Sequence, residues 1–538
     1  MIRLANGVAL CAVLTFTSLM NAAEPLSQAM DGAIERAEPK FKDLASTRCD
    51  DGTFLRRISV DLIGRVPTSS EVRAFLVATK PDKRAQWVDR LLANPDHAWY
   101  WAQVLDAWWM ERLPGKNTDA SAWVTYLRES LAANKGLDAL VAEIVAADGV
   151  DPAQRARARF LLDRDMEPTL VVRDISRLFL GANLQCAQCH DHPRIDGYKQ
   201  EHFHGLLAYF NRTYLFDDPK LKKKVLGEKA DGDVTFQSVF DPKKVTRKRS
   251  PGLPNGPERQ DPMLTKEQLY VSAPAKDVRG VPKHSRRALL AGDLVTAGRE
   301  PMARNLANRI WAQLMGKGMI HPLDQIHGDN MASNPELLEI MTKAMLDGGF
   351  KLRPMLRAIV LSDAYQRSSM PRGKEKKAED RLLMARLRPL NPEQVGYSIL
   401  AASGYDEAEA KALGTKATPA ALQAKREASA RPFINTLAPP AGNPDGFEPR
   451  LEQALFMSNH AHIQQFLLPR DGNLAARMLA QKDSGKAAEE LYLSVLARLP
   501  DESERGDVAA SFQSADRSIA VRDLIWALLA SAEFRFVS

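Results

Sequence analysis

The chain has 538 residues, 45% of them hydrophobic and 26% charged. Those are globular values, which exclude a disordered, collagenous or coiled-coil chain, and at about 150 residues per domain the length allows two or three domains. Four cysteines are too few for a disulfide scaffold. A net charge of +7 over this length forms no nucleic-acid stripe outside one basic stretch, so no nucleic acid is expected as a partner.

Met1-Ile2-Arg3 gives a cationic start, an uncharged apolar run fills 7–20, and Asn21-Ala22-Ala23 precedes Glu24-Pro25. This layout predicts a secretory signal peptide over residues 1–23, cut after Ala23. The run is shorter than the ~20 apolar residues that a membrane span needs. No later stretch is long and apolar enough either, so no transmembrane segment is expected in the mature chain. The expected location is the periplasm or cell envelope, where spare thiols are a liability. Cys49, Cys186 and Cys189 remain there. Cys49 is expected to be buried and inert, or paired with another chain.

Helical spacing dominates residues 51–213. Phe54–Ile63 places apolar residues on one face, and Gly64-Arg65-Val66-Pro67 breaks it. Thr68-Ser69-Ser70-Glu71 reads as an N-cap for a helix through Phe75 and Leu76. Another helix starts at Pro81-Asp82, and His97–Leu113 carries Trp99, Tyr100, Trp101, Trp108 and Trp109 as a predicted core cluster. Trp123–Ile144 reads as a helix pair split near Lys135-Gly136. Leu170–Leu180 reads as a helix with Gly181 as its C-cap, and Glu201–Phe210 as one more short helix.

Residues 217–283 hold 15 Lys/Arg against 10 Asp/Glu. They read as a basic linker with a small β-element at Asp233–Phe240, followed by the turn-rich Pro251–Pro257. Helical periodicity returns from 284 to 538, with residues 403–450 expected to be an irregular excursion. The prediction is a mostly α protein of two helical regions. Residues 45–215 form the first, 216–283 the basic linker with short strands, and 284–538 the second.

Cys186-Ala187-Gln188-Cys189-His190 is a C-x-x-C-H pentapeptide, the attachment signature of c-type haem. Two thiols three residues apart on a helical turn can each form a thioether to a vinyl group. The next residue then offers its imidazole to the iron as proximal ligand. Such attachment is made outside the cytoplasm, which agrees with the export signal. Two alternatives stand beside it: a redox dithiol or disulfide, and a zinc site drawing on His190, His192, His202 and His204. Under the haem reading His192, His202 and His204 are the nearer candidates for a sixth ligand. Met110, Met166, His327, His460 and His462 are the distant ones. No G-x-S-x-G, H-E-x-x-H or Walker loop is present, so no catalytic residue is nominated.

The stretch Phe179–Pro193 resembles the signature of a planctomycete cytochrome-c-like family of secreted proteins. Leu55-Arg56-Arg57, Val60–Thr68 and Val88–Leu92 are similar to the same family. Ser285–Leu289, Asn305, Asn308–Ala312, Asn334–Leu338, Leu361–Gln366 and Gln453–Phe456 resemble the planctomycete-specific domain that follows it. The resemblance implies a haem-associated envelope protein, with Cys186 and Cys189 for attachment and His190 for iron. Asp191 and His192 belong to the pattern without an assigned role. The expected function is that of an exported mono-haem c-type protein, passing electrons to or from a redox protein or envelope component. The alternatives are a zinc- or disulfide-stabilised scaffold and a haem-dependent envelope enzyme.

Overall fold

The computed structural model describes residues 23–375, 377–441 and 450–537. The expected signal peptide lies outside them apart from Ala23, which opens the helix Ala23–Ala37. The protein is mostly helical, and the described strands pair only into two-stranded antiparallel ladders. No described helix is long and apolar enough to cross a membrane.

The helices follow the expected spacing closely. Asp51–Ile63 ends at Gly64, whose positive φ of 74° reverses the chain. Ser69–Val77 starts from the Thr68/Glu71 capping box. The aromatic helix Pro95–Met110 buries Trp99, Tyr100, Trp101 and Trp109. Pro168–Phe179 is capped by the Glu167 carboxylate, which accepts from the Leu170 N–H at 2.6 Å. One expectation fails. Residues 403–450 hold the helices Tyr405–Leu413 and Pro419–Leu437, with 442–449 outside the described residues. Alanine-rich sequence is strong helix former, and Thr418 caps the second helix with Pro419 at its first position.

Contacts gather the chain into two compact units. Among the described residues, unit 1 holds 23–37 with 102–359, and unit 2 holds 38–101 with 360–537. This differs from the linear division at 215 and 283. In unit 2 early and late helices share polar clamps: Arg57 donates to the Arg367 carbonyl at 2.9 Å, and Gln394 to that of Val60 at 3.2 Å. In unit 1 Arg287 donates to the Val145 carbonyl at 3.1 Å, tying Arg286–Leu294 to Leu137–Ala146.

The basic stretch lies within unit 1 and carries short strands. Thr213–Asp218 pairs with Lys223–Glu228, and Val234–Phe236 with Arg247–Arg249. Val225, Leu226, Val234, Phe236 and Leu253 are buried. Asp261 sits between Arg212 and Arg286 at 2.7 Å from each. The alternating Asp233–Phe240 segment is a strand only over Val234–Phe236.

Candidate functional site

The helix Pro168–Phe179 positions the thiol motif, and buried charges hold that helix. Asp174 accepts from Arg164 at 2.6 Å, Arg173 at 2.9 Å and Arg177 at 3.0 Å. Arg177 also forms a bidentate pair with Glu111. Burial pushes the Asp174 carboxyl up, but the Arg164 and Arg177 guanidiniums outweigh it and hold the group below the usual carboxylate range. Phe179 packs against Trp109 and Phe160 with ring centroids 5.8 and 5.1 Å away.

Past the helix the chain turns at Gly181, where φ is 71°. A Cβ there would stand 2.5 Å from the Ile326 side chain, so glycine is required by both conformation and space. The turn is stitched to a loop far away in sequence. Ile326 N–H donates to the Gly181 carbonyl and Asn183 N–H to that of Asp324, each at 2.8 Å. Asn305, fully buried, donates to the Leu178 carbonyl at 2.8 Å, and Arg309 to that of Arg177 at 3.0 Å. Sequence reading missed these supports. The signal was there: Asn305, Asn308 and Arg309 fall among the apolar positions that the helix Arg299–Met315 buries.

Cys186 lies in the 3₁₀ turn Gln185–Gln188 and Cys189 follows as its C-cap. Both are free and exposed. Cys189 stands three residues after Cys186, the spacing at which side chains eclipse in a regular 3₁₀ turn. The backbone beneath them is fastened. The Gln188 carbonyl accepts from His204 Nε2 at 3.1 Å and from Gln200 Nε2 at 3.4 Å. The Cys189 carbonyl accepts from the Val239 N–H at 3.1 Å.

The four motif histidines have different tasks. His190 Nδ1 is 2.6 Å from the Asp191 carbonyl. A carbonyl can only accept, so Nδ1 carries the proton and the neutral ring keeps its lone pair on Nε2. His192 has the opposite arrangement. Its Nδ1 accepts from the Arg194 and Ile195 N–H groups at 3.2 and 3.0 Å, so the neutral ring carries its proton on Nε2. His202 donates from Nδ1 to the Gly197 carbonyl at 3.0 Å; the Lys199 N–H, 3.4 Å from the same nitrogen, finds no lone pair there. His204 lies flat on Phe236, with ring centroids 4.3 Å apart. Burial lowers the pKa of His202 and His204; for His192 burial acts first and nearby His327 and His190 add to it.

Asp191 also acquires a role: its Oδ1 accepts from the Gln200 N–H at 2.8 Å, tying the motif to the helix Gln200–Phe210. His327 reaches the neighbourhood through Tyr198, whose ring lies 5.4 Å from it and 6.0 Å from His192. Met110 and Met166 are buried, and Met110 Sδ accepts from Arg164 at 3.6 Å. In unit 2, His460 caps the His462 N–H at 3.1 Å and His462 Nε2 bonds the Ser429 carbonyl at 2.7 Å. Cys49 is buried there, with its thiol pushed up by burial. Among the described residues, no three His, Cys, Asp or Glu side chains are grouped so that they could hold a metal ion.

The donor set fits a covalently attached haem. Two unpaired, exposed thiols stand three residues apart, the following imidazole has its lone pair on Nε2, and Phe240 stands 4.6 Å from the His190 ring as adjoining apolar surface.

Residues 30–214 match the family model PSCyt2, described as a protein of unknown function (DUF1549). Residues 286–437 match PSD1, likewise a protein of unknown function (DUF1553). The chain carries both, in that order. This two-domain arrangement is known in planctomycetes. No curated protein and no solved structure matches the chain. The thiol turn belongs to the PSCyt2 segment, while Asn305, Arg309, Asp324 and Ile326, which brace it, belong to the PSD1 segment.

Proposed function

We propose that this is an exported mono-haem c-type protein with an electron-transfer role in the cell envelope. The carrying observation is the pairing of two free, exposed thiols on one turn with a His190 ring whose Nδ1 is committed to the Asp191 carbonyl. Cys186 and Cys189 would hold the group by thioether bonds and His190 Nε2 would face the iron. Haem iron, when bound, supplies one-electron transfer. His204 and Gln200 keep the turn in place through the Gln188 carbonyl. The 2.6 Å bond at Nδ1 fixes the His190 tautomer and so leaves the lone pair on its other nitrogen. His192 is spent on its own turn, so the reading assigns the iron to His190 alone within the motif.

The test is a pyridine haemochrome spectrum of the chain exported in a host with haem-attachment machinery. Covalent haem is expected in the wild type and absent from Cys186→Ala/Cys189→Ala. His190→Ala should keep the thioethers while shifting the Soret band. A well-expressed wild type without haem would sink the reading. A thiol count and zinc analysis would then separate the dithiol from the metal scaffold.

A further inference from the structure

The strands Val234–Phe236 and Arg247–Arg249 are joined by the loop 237–246. This loop touches the thiol turn directly: Val239 N–H donates to the Cys189 carbonyl at 3.1 Å, and Gln200 Nε2 donates to the Gln237 carbonyl at 3.0 Å. We propose that the loop 237–246 is the docking surface for a redox protein with an acidic face. The redox character of that partner rests on the proposed function; its charge rests on the loop itself.

Val239 is 66% exposed, Phe240 73% and Val245 47%. Large apolar side chains scattered singly over a surface need no explanation, but these three share one loop beside the candidate site. The loop is also pre-shaped. Asp241 accepts from the Lys243 and Val245 N–H groups at 2.9 and 3.3 Å, and its own N–H donates to the Ser238 carbonyl at 3.1 Å. A shaped loop loses little conformational entropy on binding.

The rim of the patch is basic. Lys243, Lys244, Arg247 and Lys248 are all exposed. Lys248 is paired, to Asp233 at 2.7 Å. Lys243, Lys244 and Arg247 take part in no ion pair among the described residues. An apolar centre ringed by unpaired cations favours a partner whose carboxylates surround an apolar spot of its own. Charge then speeds and orients the encounter, while the small apolar centre keeps it short-lived, which suits repeated electron delivery.

The probe is a fluorescently labelled flavodoxin, a small acidic flavoprotein, titrated with the full exported chain at low ionic strength and read by anisotropy. Saturable binding is expected. It should weaken about tenfold in Lys243→Glu/Lys244→Glu/Arg247→Glu, weaken a few-fold in Val239→Ser/Val245→Ser, and fade as salt is raised. Haem content and circular dichroism of the same samples serve as controls. Haem-loaded, folded wild type that fails to bind, or binds as well after charge reversal, overturns the docking surface and leaves the haem reading intact. Tighter binding to a short DNA duplex than to flavodoxin overturns the choice of partner. Absence of haem overturns the redox reading instead, whatever the binding curve shows.

Discussion

In the helix Pro168–Phe179 the charged side chains are buried and paired, whereas in the turn Gln185–Gln188 that follows the reactive side chains are exposed and only the backbone is fastened. The helix spends Asp174 on three arginines and Phe179 on two aromatic rings. The turn leaves both thiols free and anchors the Gln188 and Cys189 carbonyls beneath them. Stability and chemistry are thus separated along one short stretch. Substitutions in the first region should unfold the protein, and substitutions on the turn's exposed face should change only what it can bind.

The largest effect is expected from Asp174→Ala. It leaves Arg164 buried without its carboxylate, and breaking one side of a buried pair costs about 3–5 kcal/mol. Urea unfolding would measure it. A loss under about 1 kcal/mol would show that the helix is held by packing alone, and the contrast with the turn would weaken.

His204→Ala tests the link between the two regions. It removes the donor to the Gln188 carbonyl and the ring stacked on Phe236, at a cost of about 2 kcal/mol. His204→Phe keeps the stack and loses the hydrogen bond. The Phe variant should therefore recover much of the stability yet still attach haem less completely, because the turn is loosened. Full attachment in both variants would show that the turn keeps its shape without this anchor.

The same histidine gives a pH dependence. Burial depresses the pKa of His202 and His204. Between the depressed value and the unfolded value of about 6.5, the unfolded chain has taken up a proton that the folded chain refuses. The unfolded state binds more protons, so stability falls as pH drops through about 6.5 and stops falling below the folded pKa. Asp174 acts lower down. Its folded pKa is also depressed, so its contribution is present above the unfolded value of about 3.9 and is lost as pH falls through the folded one. Unfolding curves between pH 7 and 5 should be dominated by the histidine part, and His204→Phe should make them shallower while the His202 share remains.

Much of this was legible in the sequence. Apolar spacing and caps located Pro168–Phe179, its end at Gly181 and the helix Gln200–Phe210, and the pentapeptide is what nominates the candidate site. Other parts were not. The C-x-x-C-H spacing already singles out His190 over His192, but not their tautomers, which follow from a carbonyl facing one Nδ1 and two N–H groups facing the other. Asp324 and Ile326 lie too far along the chain for local patterns to pair them with Asn183 and Gly181. In residues 403–450 the Gly and Pro signals mask helix-forming alanine, although Pro419 sits where a helix tolerates it best.

The smallest expected effect lies on the turn's open face. Cys186→Ala/Cys189→Ala removes two exposed side chains that bury nothing and bond nothing across the turn, so stability without haem should change by less than about 0.5 kcal/mol. Any covalent haem, in contrast, should disappear completely. Thermal unfolding of haem-free wild type beside the variant measures the first; the absorption spectrum of exported protein measures the second. A large destabilisation of the haem-free variant would mean that the thiols serve the fold, by closing a disulfide in the oxidising envelope. The turn would then belong with the helix that precedes it, and the division between stability and chemistry would fail at the residues that define the site.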